Sequence, residues 1–153
     1  MPVLVDIDDF VLVAAVTLGA SYQMVMFTRR VGQARSKFRV EPPDTVGPPE
    51  FTRTYRAHMN CVEFFPLFLT LMWTSAAYAH QIPAAALGLM YIYGRFDFFN
   101  GYVKAPEKRL SGFFRSVKSL KYLTYLSAGG LINAAIRSYI GIDIPRYLLS
   151  FIW

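Results

Sequence analysis

Apolar residues divide the chain into long, sparsely charged runs separated by short polar segments. Phe10 to Phe27 carries no charge, and Arg29 and Arg30 close the run. At 1.5 Å rise per residue, that stretch is just long enough to cross a bilayer as a helix. The second run extends from Asn60 to Ala79 and contains Pro66, which should kink it. The third opens near Pro83, a good first-turn residue, and continues as AAALGLMYIYGRFDFFNGYV. The fourth, from Tyr122 to Ile136, follows Arg115, Lys118 and Lys121, whose spacing of three suits a cytosolic extension or a snorkelling face. The pattern predicts an all-α fold: one domain over residues 1–153, an integral membrane four-helix bundle with spans about 10–28, 60–79, 83–103 and 114–137.

The connections follow from the breakers. The polar stretch from Arg29 to Arg56 contains Pro42-Pro43 and Pro48-Pro49, which deny it a continuous helix, so it reads as an ordered loop. His80-Gln81 is a tight, uncharged turn, and KAPEKRLSGFF, with Pro106 and Gly112, is a basic third loop. The opening MPVLVDIDD has no basic n-region and no small-residue cleavage site, so no removable signal peptide is expected. The tail after Ile136 is amphipathic and ends in an aromatic anchor suited to the membrane interface.

Composition agrees with a polytopic membrane protein: 54% apolar and 16% aromatic residues in a chain of 153. The formal charge of +6 raises the question of nucleic acid, but its distribution answers it. Seven Lys/Arg lie between Arg29 and Arg56 and six between Lys104 and Lys121, while only Arg137 and Arg146 flank the other side. Charges banked beside apolar runs fit membrane orientation rather than phosphate-backbone binding, and no nucleic-acid partner is expected. The positive-inside rule puts the first and third loops in the cytosol and both termini in the lumen. The single cysteine, Cys61, excludes an internal disulfide and reads as a small buried apolar residue. Walker loops, nicotinamide fingerprints, zinc spacings and Ser/His/Asp sets are all missing from the sequence, and His58 has no second histidine at ligand spacing, so no metal is expected.

The chemistry concentrates in Phe51–Phe68, FTRTYRAHMNCVEFFPLF. On one helix Arg56, Asn60 and Glu63 fall at i, i+4 and i+7 and share a face. Polar and charged groups within an apolar run point to function, the alternative being a boundary position for Arg56 and Asn60 with Glu63 satisfying a neighbouring helix. On the third span Tyr91, Arg95, Phe98 and Tyr102 also share a face, whereas Arg95 and Asp97, two apart, cannot simply pair. Arg35, Arg53, Arg56, Lys108 and Arg109 add a cationic face on the cytosolic side. Such a face beside an acid and an amide suits a small zwitterionic or polyanionic ligand at the membrane boundary.

The run ARSKFRVEPPDTVGPPEFTRTYRAHMNCVEFFPLFLTLMW, together with GLMYIYGR, FFNGY and KRLSGF, resembles the MAPEG family, in its microsomal glutathione transferase 2 and leukotriene-C synthase branch. The resemblance covers most of residues 10 to 135. It implies a four-helix subunit assembling as a homotrimer in the endoplasmic reticulum (microsomal) and nuclear envelope membranes, with the co-substrate glutathione between neighbouring subunits near the cytosolic face. The implied activity is conjugation of glutathione to lipophilic electrophiles of the leukotriene-epoxide type and reduction of lipid hydroperoxides. By the same resemblance Arg35, Arg56 and Asn60 hold the tripeptide's carboxylates and backbone, and Glu63 takes its α-amino group. His58 replaces a common glutamine, keeping a donor with a different reach, and Arg95 and Tyr102 line the pocket. Arg109 is the implied catalytic residue, stabilising the thiolate, a role suited to a permanently charged guanidinium. Phe64 and Phe98 stand where relatives often carry tyrosine, and Ser36 where leukotriene-C synthases carry a second arginine, which favours a broader transferase and peroxidase. The rival within the family is a non-catalytic lipid-presenting scaffold like the five-lipoxygenase-activating protein, which lacks the arginine matched by Arg56 and has aspartate in place of Glu63. A channel or transporter finds no support, because no broken-helix pairs or internal repeats are evident.

Overall fold

Uninterrupted apolar runs favour helix wherever no breaker intervenes, and the computed structural model describes residues 7–142 as four long helices. These are α1 (Val11–Phe38), α2 (Pro49–Tyr78), α3 (Gln81–Lys104) and α4 (Leu110–Ile140). No strand occurs among the described residues. A 3-10 turn, Ile7–Phe10, leads into α1, and a second, Pro106–Arg109, leads into α4. The aromatic tail expected at the interface lies mostly outside the described residues.

Helix boundaries follow the capping chemistry more than the apolar runs. α1 continues ten residues beyond Thr28, because Arg29–Phe38 contains no proline and, apart from Gly32, only residues a helix accepts. It ends at Arg39 in the left-handed region (φ 54°), and the Arg35 guanidinium donates to the carbonyls of Val40 and Asp44. α2 starts with Pro49 in its first position, where the missing N–H costs nothing. The loop read from Arg29 to Arg56 is therefore confined to residues 39–48. Pro66 sits inside α2 without ending it. The α2–α3 turn is closed by His80, whose Nδ1 accepts from the Ile82 N–H, and Gln81 bridges it to the chain start by accepting from Leu12 N–H and donating to Asp8 O.

The bundle has two ends: a turn end at Ala79–His80, and a loop end carrying the 39–48 loop and the Pro106 connection. Near the turn end the core is built from Val13, Val16, Phe68, Met72, Ala84, Tyr91 and Leu123, with Phe68 and Tyr91 stacked at 4.0 Å. Towards the loop end Phe27 stacks on Phe99 at 4.1 Å beside Ala57, Cys61 and Phe98. The outer surface is apolar instead of polar: Leu18, Tyr22, Leu67, Leu89, Phe114 and Ile132 are all more than half exposed. Such a surface is compatible with a bundle that sits in a membrane. Asp8–Phe38 and Pro49–Tyr78 are each long and apolar enough to cross a membrane.

Because lipid supplies no hydrophobic drive between helices, close approach and hydrogen bonds must hold them. α3 and α4 meet through small residues. A Cβ on Gly112 would lie 2.1 Å from Phe98 N, and one on Gly94 would lie 2.8 Å from Ser116 N. α4 is further fixed by hydroxyls bonding to main-chain carbonyls. Ser119 donates to Leu87 O, Ser75 to Leu123 O and Ser127 to Leu71 O, with Ser75 and Ser127 2.8 Å apart.

Candidate functional site

Three helices open a cavity of about 460 Å³ at the loop end, lined from α2 by Tyr55, Arg56, Met59, Asn60 and Glu63. α3 contributes Phe98 and Tyr102, the α3–α4 connection contributes Arg109, and the start of α4 contributes Leu110 and Phe113. The predicted face of Arg56, Asn60 and Glu63 is thus real and points into a single space. Asn60 Nδ2 lies 3.5 Å from Glu63 Oε2, a contact at the long limit of a hydrogen bond.

Arg95 stands behind this face and is not on it. Only 1% of it is exposed. Its Nη1 donates to Asn60 Oδ1 at 2.9 Å, and the guanidinium lies over the rings of Phe64 (4.1 Å), Tyr91 (5.2 Å) and Phe98 (5.4 Å). Its Nε and Nη2, and the Tyr91 hydroxyl, are buried and make no hydrogen bond of normal geometry among the described residues. A chain of Arg95, Asn60 and Glu63 results, in which a buried cation fixes the amide orientation and the amide then addresses the acid. Asp97 turns away, as the two-residue spacing predicted, accepting from Arg115 and Ser111, each at 2.9 Å.

Arg109 reaches the cavity from the proline-broken connection that the sequence predicts after the third span. α3 does not continue to it. The helix stops at Lys104, Ala105 is extended as a residue before proline tends to be, and Pro106–Arg109 form a 3-10 turn. That turn folds Arg109 back so that its guanidinium lies 4.9 Å over the Tyr102 ring, while Nη1 donates to Pro106 O. Tyr102 and Arg109 do meet, across a corner instead of along one helix face.

Two predicted ligand residues lie elsewhere in the subunit. Arg35 faces the 39–48 loop, stacked over Phe51 (5.3 Å) and Tyr55 (5.8 Å), and borders a separate cavity with Ser36 and Arg39. His58 points to α1, with Nε2 3.1 Å from Thr28 Oγ1. Because that hydroxyl already donates to Met24 O, the imidazole N–H is the donor between them. Of the broader cationic face, Arg53 donates to Val103 O and Lys108 is exposed on the 3-10 turn, so Arg56 and Arg109 are its members at the cavity.

The sequence reading missed the apolar half of the wall. Met59, Leu110 and Phe113 line the cavity, and Phe113 packs on Phe64 and Phe98 with centroids 6.1 and 6.2 Å apart. Gly112 was the available signal. A glycine in the first turn of a helix marks a close approach, and the residue beside it is then held against whatever is approached.

Residues 11–129 match the MAPEG family. Microsomal glutathione S-transferase 2 from Bos taurus is 43% identical over 141 residues, covering 92% of this chain and 97% of that protein. The Homo sapiens protein of the same name is 43% identical over 138 residues, covering 90% and 94%. Leukotriene C4 synthase from Bos taurus is 42% identical over 125 residues, covering 82% and 83%.

Proposed function

The chain belongs to the MAPEG family, and from that premise we propose that it is a membrane glutathione transferase acting on lipophilic electrophiles. The observation that carries the reading is the single cavity shared by Arg56, Asn60, Glu63, Tyr102 and Arg109. Glutathione brings two carboxylates, one ammonium and one thiol. Arg56 and Asn60 suit a carboxylate and the peptide backbone, Glu63 suits the ammonium, and Arg109 suits a thiolate. Met59, Leu110 and Phe113 supply an apolar wall for the second substrate.

In the proposed reaction the thiol loses its proton to solvent and the thiolate stays beside the Arg109 guanidinium. With an epoxide, the S–C bond forms as the C–O bond breaks, and the alkoxide takes a proton from water. With a lipid hydroperoxide, the thiolate attacks the O–O bond, releasing the alcohol after protonation and leaving a glutathione sulfenic acid. A second glutathione converts that to the disulfide and water. Holding both reactants in one cavity supplies much of the rate enhancement.

The same reading accounts for Arg35 and His58 lying outside the cavity. In a homotrimer a neighbouring copy would bring them to it, completing a site that one subunit holds only in part. Microsomal location in the endoplasmic reticulum, extending to the nuclear envelope, goes with the family. Glutathione binding by the purified protein, then turnover on a leukotriene epoxide, a lipid hydroperoxide and an aryl halide, tests the proposal directly. Binding with no turnover on any acceptor would move the protein to the lipid-presenting scaffold class.

Two expectations follow. Glu63→Gln keeps the shape and removes the charge that meets the ammonium, so glutathione should bind more weakly by about 1.5–3 kcal/mol, read by calorimetry. Unchanged affinity in a folded protein would make Glu63 structural. Thirteen of sixteen Lys/Arg lie in or beside the first and third loops, so tags at either terminus should resist protease in sealed microsomes and be cut once detergent is added. Digestion without detergent would reverse the orientation.

A further inference from the structure

A second cavity, of about 410 Å³, opens at the loop end on the opposite face of α2 from the first, between α1, α2 and α3. Arg30, Gln33 and Lys37 border it along one stripe of α1, at i, i+3 and i+7. Arg30 is held in place from below: Nη1 donates to Asn100 Oδ1, and the guanidinium lies 5.6 Å over Phe99, itself fully buried against Phe27. Its Nε and Nη2 have no protein acceptor among the described residues, and neither does the Lys37 ammonium. Glu50 faces them from α2, with no closer cation than Arg53 at 3.9 Å. The floor, Ala34, Phe99 and Val103, is apolar.

Height fixes what this notch meets. Arg30 lies just beyond the uncharged run that ends at Thr28, and Lys37 is two turns further out, about 10 Å along the axis. A bilayer of roughly 40–45 Å with a hydrocarbon core of about 30 Å leaves a headgroup layer of about 5–7.5 Å on each side, so Arg30 stands at its inner boundary and Lys37 at its outer edge. The notch therefore spans the headgroup layer, with its apolar floor against the bundle interior. Two cations and one carboxylate at that height complement a headgroup of two anions and one ammonium.

We propose that this notch binds an acidic aminophospholipid of the phosphatidylserine class, with phosphate and carboxylate on Arg30 and Lys37 and the ammonium on Glu50. The side agrees with the expected orientation, since anionic lipids enrich the cytoplasmic leaflet. Gln33 supplies a further neutral donor at the rim. The site is independent of the transferase reading, as it shares no lining residue with the first cavity.

Lipid retention by the full chain tests it. The protein is reconstituted in phosphatidylcholine nanodiscs containing a minor fraction of phosphatidylserine, phosphatidylglycerol or phosphatidylethanolamine, then released, and bound lipid is counted by native mass spectrometry. Phosphatidylserine should be retained about tenfold over phosphatidylcholine, in line with one or two charge-assisted bonds. Phosphatidylglycerol, which lacks the ammonium, should be retained less. Arg30→Ala with Lys37→Ala should abolish the preference, and Glu50→Gln should raise phosphatidylglycerol to the level of phosphatidylserine. Lys37→Ala alone breaks no hydrogen bond of the fold, so a several-fold loss there supports the site even if the Arg30 variant misfolds. Three retention results would overturn the proposal. One is equal retention of the two acidic lipids by the unmodified protein. Another is undiminished retention by Lys37→Ala. The last is an equal loss in Lys118→Ala with Lys121→Ala, which would reduce the effect to general surface charge. Displacement of bound lipid by inorganic phosphate or O-phosphoserine at matched concentration would mark a soluble anion as the ligand and overturn it too.

Discussion

Arg109→Ala should lower turnover with glutathione by about 10²–10³-fold, the usual cost of removing one preorganised group that stabilises a developing or resident anion. Affinity for glutathione should change far less, because the carboxylates and ammonium are assigned to Arg56, Asn60 and Glu63. The diagnostic measurement is thiolate absorbance of the bound tripeptide as a function of pH. A nearby cation favours the thiolate, so its loss raises the thiol pKa, and both the absorbance and the activity should need higher pH. Arg109→Lys should recover part of the rate, since an ammonium is a compact, strongly hydrated charge without the planar fork. The competing explanation is that Arg109 only braces the corner by donating to Pro106 O and covering Tyr102. That explanation predicts lost stability with an unshifted thiol titration, and such a result would remove the catalytic role.

Gly112→Ala should be the most damaging single-methyl change in the bundle. Its Cβ would lie 2.1 Å from Phe98 N, 2.6 Å from Phe98 Cα and 2.7 Å from Gly94 O, all backbone atoms that cannot rotate aside. Separating α3 from α4 is the remaining option, and it should cost about 3 kcal/mol or more. Gly129→Ala is the matched control: it meets nothing within 4 Å and replaces a poor helix former by the best one. Thermal unfolding in detergent should fall sharply for the first and stay level or rise slightly for the second. Equal midpoints would mean that α3 and α4 are not in the contact described. Gly112 lies between Phe98 and Phe113, so residual folded Gly112→Ala should also lose glutathione binding.

Much of this site was legible because helical periodicity is arithmetic. Arg56, Asn60 and Glu63 were placed together by spacing alone, as were Tyr91, Arg95, Phe98 and Tyr102. Depth was harder. Spacing put Arg95 on the right face of α3 but could not say that Phe64, Tyr91 and Phe98 would enclose it and leave Asn60 to speak for it. The long first loop was misjudged because charge was taken to end α1, whereas a helix ends at a breaker or a cap, and the first of these after Thr28 is at Arg39. The break before Arg109 was legible in Pro106, but the extended Ala105 and the 3-10 turn that fold Arg109 back over Tyr102 are tertiary choices that spacing does not encode. His58, two residues after Arg56, was assigned to the pocket by resemblance although the helix turns it towards α1.

The hydroxyls that fasten α4 set an uneven tolerance to sequence change. Ser75, Ser119 and Ser127 donate to the carbonyls of Leu123, Leu87 and Leu71, and a carbonyl is present whatever side chain its residue bears. At the acceptor positions any apolar residue of fitting volume keeps the bond, so drift there is nearly silent. At the donor positions Ser→Ala loses the interhelical bond, although each carbonyl keeps the N–H of its own helix, while a larger residue meets the facing helix. A saturation scan of α2, α3 and α4 would therefore read as a lock with one stiffer half: three serines that tolerate few substitutes, opposite Leu71 and Leu87, which exchange with other apolar residues of similar volume more readily than the fully buried Leu123.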